Sequence, residues 1–318
     1  MTEKLNSIVE TLVKKMDVDL VGFAPVERFK HAPEDAHPQY YMPQAESVIV
    51  LGAAMPRSIN DIFGTFEEPH KTAGPYMWYG YGYLNWFLSS VAYRTAKFLQ
   101  KRGYAALPFP PTWPLASYRK ADLLFRGDPK FVSDLSSRHA AVAAGLGEFG
   151  WSGLVLTPQF GPRQRFVTIV TDAPFEPSPM YDGPPLCDRE LCKDLCIKAC
   201  SDVVKAYALD ATKFKECKID SKTYKYAMFY PIRCRYAQFG LIRGAGARAN
   251  VVLPTLEELP GDVPVEGFYK AASSIRTHED HGMNQPTHVS FCGRCIHACP
   301  SPDLKPGYMD EYFKRKSQ

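Results

Sequence analysis

Cysteine is the residue type whose number and spacing in this sequence most clearly suggest chemistry. Nine cysteines occur among 318 residues, and seven of them fall into two compact runs. The runs are Cys187-x4-Cys192-x3-Cys196-x3-Cys200 and Cys292-x2-Cys295-x3-Cys299-Pro300, with Cys217 and Cys234 between them. Thiolates are soft ligands, and four of them arranged tetrahedrally suit an iron–sulfur cluster or zinc.

The spacing favours two [4Fe–4S] clusters. In two-cluster ferredoxins the last cysteine of each run binds the cluster of the other run. By that logic cluster A takes Cys187, Cys192, Cys196 and Cys299, and cluster B takes Cys200, Cys292, Cys295 and either Cys217 or Cys234. Structural zinc sites usually use paired Cys-x2-Cys units, and this sequence has only one such unit. Zinc and ordinary buried thiols remain the alternatives.

Composition and charge indicate a globular protein. Hydrophobic residues make up 45% of the chain, enough for a sizeable core, and the net charge of +4 is too small to indicate a nucleic-acid partner. No stretch approaches the roughly 20 apolar residues that span a bilayer, and the N-terminus shows no export signal. We therefore expect a cytoplasmic protein without a membrane partner. In that reducing compartment the cysteines favour metal binding over disulfides.

Hydrophobic periodicity predicts the elements that must position these cysteines. The predicted helices cover residues 4–16, 84–102 and 138–144, and the predicted strands cover 17–23, 47–51, 104–107 and 165–171. Helices that alternate with apolar strands indicate α/β layers. Because residues 173–185 are rich in Pro, Asp and Gly, they are typical of a linker. We predict one domain over 1–180 and a second over 181–318, with an insert at about 201–290.

Residues 139–183 resemble the segment that precedes the cysteine runs in the cobalamin-dependent reductive dehalogenases and epoxyqueuosine reductases. The stretches that carry the resemblance are AGLGEFG, TPQFGPRQRF and TDAPFEP, followed by both cysteine runs. Residues 210–217 (DATKFKEC) resemble the isolated-cysteine segment of epoxyqueuosine reductase, which favours Cys217 as the eighth ligand. Trp151 stands where these families have Arg or Lys.

This resemblance implies an α/β (α+β) fold, with a nitroreductase-like corrinoid-binding domain followed by a ferredoxin-like domain that holds two [4Fe–4S] clusters. It implies a reductase in which electrons from a ferredoxin or flavodoxin pass through the clusters to cobalamin bound near cluster A. The reaction would cleave a carbon–halogen or carbon–oxygen bond of a small-molecule substrate. A corrinoid carrier without turnover and a two-cluster electron-transfer protein are the alternative functions.

The candidate corrinoid contacts follow from the same segment. Glycines after a helix let the backbone approach a bulky ligand, although a helix C-cap explains Gly145 equally well. The Thr157 hydroxyl and the Arg165 guanidinium, later in the same segment, could bind the corrinoid amides or the nucleotide phosphate. The candidates are Gly145, Gly147, Gly150, Thr157, Gly161 and Arg165.

Two residues are candidate proton donors, a role that requires hydrogen-bond reach of the reacting atom. Asp134 stands shortly before the resembling segment, where it could equally cap the following helix. Tyr118 precedes Arg119 and Lys120, a tyrosine–cation group like the dehalogenase pair in residue type. Residues 74–83 (GPYMWYGYGY) are predicted as a loop whose rings form a wall over a flat ligand or pack into the core.

Overall fold

The computed structural model describes residues 2–56, 58–59, 75–111, 135–238, 242, 259 and 292–303. The strands are β1 (Leu20–Pro25), β2 (Ser47–Ala54), β3 (Ala106–Phe109), β4 (Glu148–Phe149), β5 (Val155–Leu156), β6 (Gln164–Thr171), β7 (Leu209–Ile219) and β8 (Lys222–Phe229). The α-helices are α1 (Thr2–Lys14), α2 (Pro38–Tyr41), α3 (Tyr83–Gln100), α4 (Ser137–Ala143), α5 (Arg189–Cys192), α6 (Leu195–Lys198), α7 (Pro231–Gln238) and α8 (Arg294–Ala298). Tyr76–Gly82 and Ala199–Val203 are π-helical, and Val26–Phe29 and Glu34–Ala36 are 3₁₀ turns.

A four-stranded antiparallel sheet in the order β1-β2-β6-β3 organises the first part of the chain. Side chains alternate across a strand, so the two faces of β2 enter different clusters. Ile49 and Leu51 pack with helices α1 and α3, whereas Val48 and Val50 pack with the alanines of α4. Because both faces are covered, β2 is apolar along almost its whole length and buried on both sides.

The predicted α/β layers are confirmed, and the antiparallel sheet makes them the α+β kind. The strand predicted at 47–51 extends to Ala54, and the one predicted at 165–171 begins at Gln164. The prediction of a loop over 74–83 was wrong for residues 75–83, because π-helical backbone follows Pro75 and leads directly into α3. The division into two domains near residue 180 stays a prediction.

The second part of the chain brings the two cysteine runs together. Lys193 and Asp194 both have left-handed backbone, which separates α5 from α6, and the Arg189 guanidinium bonds Asp194 at 2.6 Å across this turn. Helix α8, from the second run, packs against α6 and the π-helical segment that follows it. The long β7–β8 ribbon, which periodicity did not predict, lies between the runs in sequence. None of the described helices combines the length and the apolar character that a membrane crossing requires.

Candidate metal centre and the cavity beside it

Eight of the nine thiols gather into two groups, and all nine are free of disulfides. Group A is Cys187, Cys192, Cys196 and Cys299, and group B is Cys200, Cys234, Cys292 and Cys295. Burial raises the pKa of the Cys196 thiol well above its usual range, and the other group A thiols raise it further. Burial and the other group B thiols act on the pKa of Cys295 in the same way. Cys196 of group A and Cys295 of group B pack against one small apolar cluster, so the two groups adjoin.

Cys217, the residue that the resemblance favoured as the eighth ligand, belongs to neither group. It lies on β7 opposite Tyr224, and its thiol shares a hydrogen bond with the Tyr226 side chain. It packs against the apolar cluster around Phe149, and burial raises its pKa to about 11. Cys234, on α7, packs instead on the same small cluster as Cys200 and Cys292. Sequence similarity did not reveal this, because the direction of the Cys217 side chain depends on how the β7–β8 ribbon packs.

Backbone N–H groups point at several of the sulfur atoms. The Trp151 N–H donates to Cys187 Sγ at 3.3 Å, and the Ala208 N–H donates to Cys200 Sγ at 3.2 Å. Such bonds favour the thiolate over the thiol, and they oppose the raised pKa that burial gives each cysteine. Hydrogen bonds to cysteine sulfur also tune iron–sulfur clusters. In both cysteines burial outweighs these bonds, so the pKa stays above its usual value.

Each group supplies the number of thiols that a four-iron cluster requires. Within the described part of the chain, no three Cys, His, Asp or Glu side chains stand close enough together to hold a single metal ion. A tetrahedral zinc site would need its sulfurs about 3.8 Å apart, given a Zn–S distance of about 2.3 Å. A [4Fe–4S] cube takes four thiolates at its iron corners, and each group supplies four thiols.

A cavity of about 360 Å³ lies beside group B, whose four thiols all line it. That volume is within the range of small-molecule sites. Its other walls contain aromatic rings and polar side chains, among them Tyr76, Tyr81, Ser136, Arg138, Gln164 and Arg165. The resemblance placed the corrinoid near cluster A, but no group A thiol is among the described residues that line this cavity. Which thiol group faces the cavity depends on tertiary packing and cannot be derived from cysteine spacing.

One of the six predicted corrinoid contacts, Arg165, lines the cavity. The others are used in packing within the protein. Gly145 has φ +74°, and a Cβ there would collide with the Pro179 carbonyl oxygen. A Cβ at Gly161 would collide with the Ser301 carbonyl oxygen in the same way. The remaining three, Gly147, Gly150 and Thr157, lie against Leu156 or in the buried turn before β6.

Trp151 lies at group A. Besides its bond to Cys187, its indole N–H donates to the Asp210 carbonyl oxygen at 3.2 Å, and the Arg189 guanidinium lies 3.9 Å over its ring. Trp151 is absent from the described cavity lining. The residue at the position where the resembling families have Arg or Lys therefore helps to enclose a thiol group.

Two arginines of the cavity wall were missed by the sequence analysis. Arg138 was assigned only to a predicted helix, and Arg294 lies inside the Cys292–Cys295 segment. The only sequence signal for these two arginines was a charged residue next to an apolar or cysteine-rich stretch. Such charged residues are common on protein surfaces, so the signal does not indicate a cavity.

The predicted aromatic wall is present in part, since Tyr76 and Tyr81 line the cavity whereas Trp78 and Tyr79 are exposed. Tyr118 and Asp134 lie outside the described residues, so their roles as proton donors stay predictions.

No family model matches the chain. Over 135 residues the chain is 36% identical to the tetrachloroethene reductive dehalogenase of Desulfitobacterium hafniense, a match that covers 42% of this chain and 19% of that protein. The protein of the same name from Dehalobacter restrictus matches with the same identity and coverage. The chain thus spans about a fifth of the length of the curated relatives that it matches.

Several solved structures resemble the fold of this chain. A reductive dehalogenase whose structure suggests a mechanism for B12-dependent dehalogenation has a TM-score of 0.50 and 16% identity, covering 94% of this chain and 34% of its own. A catabolic reductive dehalogenase in complex with 3-bromo-4-hydroxybenzoic acid has a TM-score of 0.50 and 15% identity, covering 94% of this chain and 35% of its own. An epoxyqueuosine reductase has a TM-score of 0.44 and 18% identity over 65% of this chain and 54% of its own. The resemblance to this superfamily is confirmed.

Proposed function

We propose that this chain, which shares its fold with reductive dehalogenases, is a corrinoid-dependent iron–sulfur reductase that removes halogen from a small organic substrate. The observation that carries the proposal is the arrangement of eight buried or half-buried thiols in two adjoining groups, one of which opens onto a cavity. This is the arrangement expected of an electron path that ends at a reaction site. A plain electron-transfer protein would not need the cavity.

Each thiol group would hold one [4Fe–4S] cluster, with Cys234 as the eighth ligand. Group B adjoins the cavity, so electrons would enter through group A and leave through group B. Cys196 and Cys295 pack against the same small apolar cluster, and this closeness supports transfer between the two clusters. A ferredoxin or flavodoxin as donor and a cytoplasmic location belong to the same proposal.

The cavity wall offers groups that a corrinoid would contact, and its volume of about 360 Å³ would accommodate only part of so large a molecule. Tyr76 and Tyr81 offer ring faces for a flat macrocycle, and Ser136 and Gln164 offer hydrogen-bonding groups for its side-chain amides. A corrinoid supplies a metal centre that accepts electrons from the clusters and reacts with a carbon–halogen bond. The chain itself would position the substrate and keep bulk water from the site.

Carbon–halogen cleavage is preferred to carbon–oxygen cleavage because of the relatives. The curated matches bear the name tetrachloroethene reductive dehalogenase, and the solved structures with a TM-score of 0.50 are dehalogenases. The reaction would consume two electrons and one proton for each carbon–halogen bond, releasing a halide ion and leaving a carbon–hydrogen bond. Tyr118 and Asp134 remain the proposed proton donors.

Anaerobic reconstitution with iron, sulfide and cobalamin tests the proposal. We expect about eight irons per chain from the thiol count, together with one cobalt. With reduced methyl viologen as donor, the protein should release halide from tetrachloroethene or 3-bromo-4-hydroxybenzoate, and omission of cobalamin should abolish the release. Bound zinc in place of iron would contradict the cluster assignment. Iron without cobalt uptake would indicate the electron-transfer alternative, and cobalt without halide release would indicate the carrier.

A further inference from the structure

Group A, none of whose thiols is among the described residues that line the cavity, is covered by aromatic side chains that reach the surface. The Trp151 N–H donates to Cys187 Sγ at 3.3 Å, and the ring centroids of Trp151 and Phe214 lie 6.2 Å apart. Phe214, on β7, is 44% exposed, whereas Trp151 is half-buried. A path of contacts therefore runs from the protein surface through two rings to a thiol of group A.

Arg189 joins the β7–β8 ribbon to the first cysteine run. Its guanidinium lies 3.9 Å over the Trp151 ring and donates from Nη2 to the Ala211 carbonyl oxygen at 2.8 Å. The same guanidinium bonds the carboxylate of Asp194, in the turn between α5 and α6. The end of β7 that carries Phe214 and the helices that carry group A thiols therefore form one surface.

This surface is basic. Residues 189–229 contain nine Lys and Arg residues against six Asp and Glu residues, a net charge of +3, and the whole chain has a net charge of only +4. Lys213 and Lys215 flank Phe214 and are exposed, as is Lys193, which follows Cys192. Within the described part of the chain, none of these three lysine side chains pairs with a carboxylate. Such a field attracts an acidic partner.

Apolar side chains lie within the basic surface. Phe214 is joined there by Leu191, which is 37% exposed. The Lys225 Nζ atom lies 4.8 Å from the Phe214 ring centroid, and its ion pair with Glu216, at 2.9 Å, helps to hold it there. Protein interfaces combine an apolar centre with a polar rim in this way.

We infer that Phe214 and the lysines around it form a docking surface for a small acidic electron-transfer protein that reduces group A. The basic members of the docking surface are Lys193, Lys213 and Lys215. The reduced carrier loses one electron, and the cluster that group A would hold gains it through the contact of Phe214 with Trp151. Two such encounters supply the two electrons of the proposed reduction. This inference rests on the proposed function, since it concerns the source of the electrons that group A would accept.

An acidic protein fits the docking surface better than RNA does, although lysines attract both. Glu190 and Glu216 are exposed among the lysines and would repel phosphate groups. The ring path to Cys187 gives an electron carrier a role at this surface, and it gives RNA none.

Binding of oxidised flavodoxin, an acidic electron-transfer protein, tests the docking surface without turnover. We expect calorimetry to detect binding to the reconstituted protein at low salt, with an affinity that falls as salt is added, because salt screens exposed charges. Lys213→Glu and Lys215→Glu should each weaken binding by about tenfold at low salt, because each replaces an attraction with a repulsion. Phe214→Ala should weaken binding by about the same factor at all salt concentrations, because its contact is apolar.

Stopped-flow reduction of the reconstituted protein tests the electron path. With flavodoxin hydroquinone below its dissociation constant, the three variants should be reduced about tenfold more slowly than the parent, in proportion to their affinities. With reduced methyl viologen, which is too small to need a docking surface, all should be reduced at the parent rate.

Tyr93→Ala and Lys97→Glu are the matched controls. They alter an exposed ring and an exposed lysine one turn apart on α3, where the structure shows no contact with a thiol. Both variants should bind flavodoxin and accept its electrons like the parent protein.

Three results would overturn the inference. The first is parent-like flavodoxin binding in all three docking-surface variants. The second is unchanged flavodoxin binding with lost affinity for an RNA stem loop, which would assign the surface to RNA. The third is unchanged flavodoxin binding with loss of a dimer in sedimentation, which would assign it to a second copy of this chain. Failure of the proposed function appears separately, as absence of halide release with methyl viologen in a protein whose variants still lose flavodoxin binding.

Discussion

The ligand set depends on single residues, and two cysteines between the runs provide a matched comparison. Cys234 packs with Cys200 and Cys292, whereas Cys217 bonds with Tyr226 on the ribbon. We expect Cys234→Ala to lose one cluster, so that bound iron falls from about eight to about four per chain. Cys217→Ala should retain all the iron.

Iron analysis and EPR of the reduced proteins measure this difference directly. Cys200→Ala is the positive control, because both the sequence and the structure assign that thiol to group B. Loss of a cluster in Cys217→Ala with an unchanged Cys234→Ala would restore the original choice of ligand.

His139 offers a second prediction at the residue scale. Its Nδ1 lies 2.7 Å from Ser136 Oγ, its Nε2 lies 3.4 Å from the Tyr226 hydroxyl, and Phe149 packs on its ring. Burial, and then the nearby Arg138 charge, lower its pKa from 6.5 to about 4. The unfolded chain therefore binds a proton at this residue that the folded chain does not.

The stabilising effect of this neutral histidine is complete above about pH 6.5 and is lost as the pH falls toward 4. Each pH unit in that window lowers the free energy of unfolding by about 1.4 kcal/mol through this group. His139→Gln should remove that part of the pH dependence in denaturant titrations, whatever its effect on overall stability. An unchanged slope in His139→Gln would contradict the low pKa.

At the scale of elements, the turn before β6 holds the segment that carries Cys299. Arg163 donates from Nη1 to the Ser301 carbonyl oxygen at 2.6 Å and from Nη2 to the Cys299 carbonyl oxygen at 2.5 Å. Gly161, with φ +56°, packs directly against Ser301. This turn, which lies in the TPQFGPRQRF stretch and outside the cysteine runs, therefore holds the backbone of a group A cysteine in place.

Arg163→Gln should destabilise this segment by about 2 kcal/mol or more, because it removes charge-assisted hydrogen bonds to two carbonyl groups. The expected result is faster loss of one cluster to an iron chelator, followed by the decay of visible absorbance. Arg163→Lys should lie between the parent and Gln variants, and Arg102→Gln, at an exposed arginine over the Phe98 ring, should match the parent. Equal loss rates in all four proteins would show that the turn does not hold Cys299 in place.

The elements also show what the sequence could and could not predict. Apolar periodicity predicted the helices α1 and α3, because each buries one regular apolar stripe. It also predicted the strands β2 and β6, because both faces of each strand are buried and nearly all of their residues are apolar. It missed the β7–β8 ribbon, whose exposed lysines break the usual alternation, and it took the π-helical turn at Tyr76 for a loop. Motif spacing found seven of the eight grouped thiols, but the eighth and the position of the cavity depend on how distant segments pack.

At the scale of the whole molecule, each thiol group combines ligands from both ends of the second part of the chain. Group A takes Cys299 from the second run, and group B takes Cys200 from the first. Neither cube could therefore be completed by one stretch of polypeptide. During synthesis, both sets of thiols would have to wait for the second run to leave the ribosome, and a chain ending before Cys292 should retain neither cluster. Metal loading would then require both runs in one chain, because a product interrupted between them could not be partly loaded and still pass electrons.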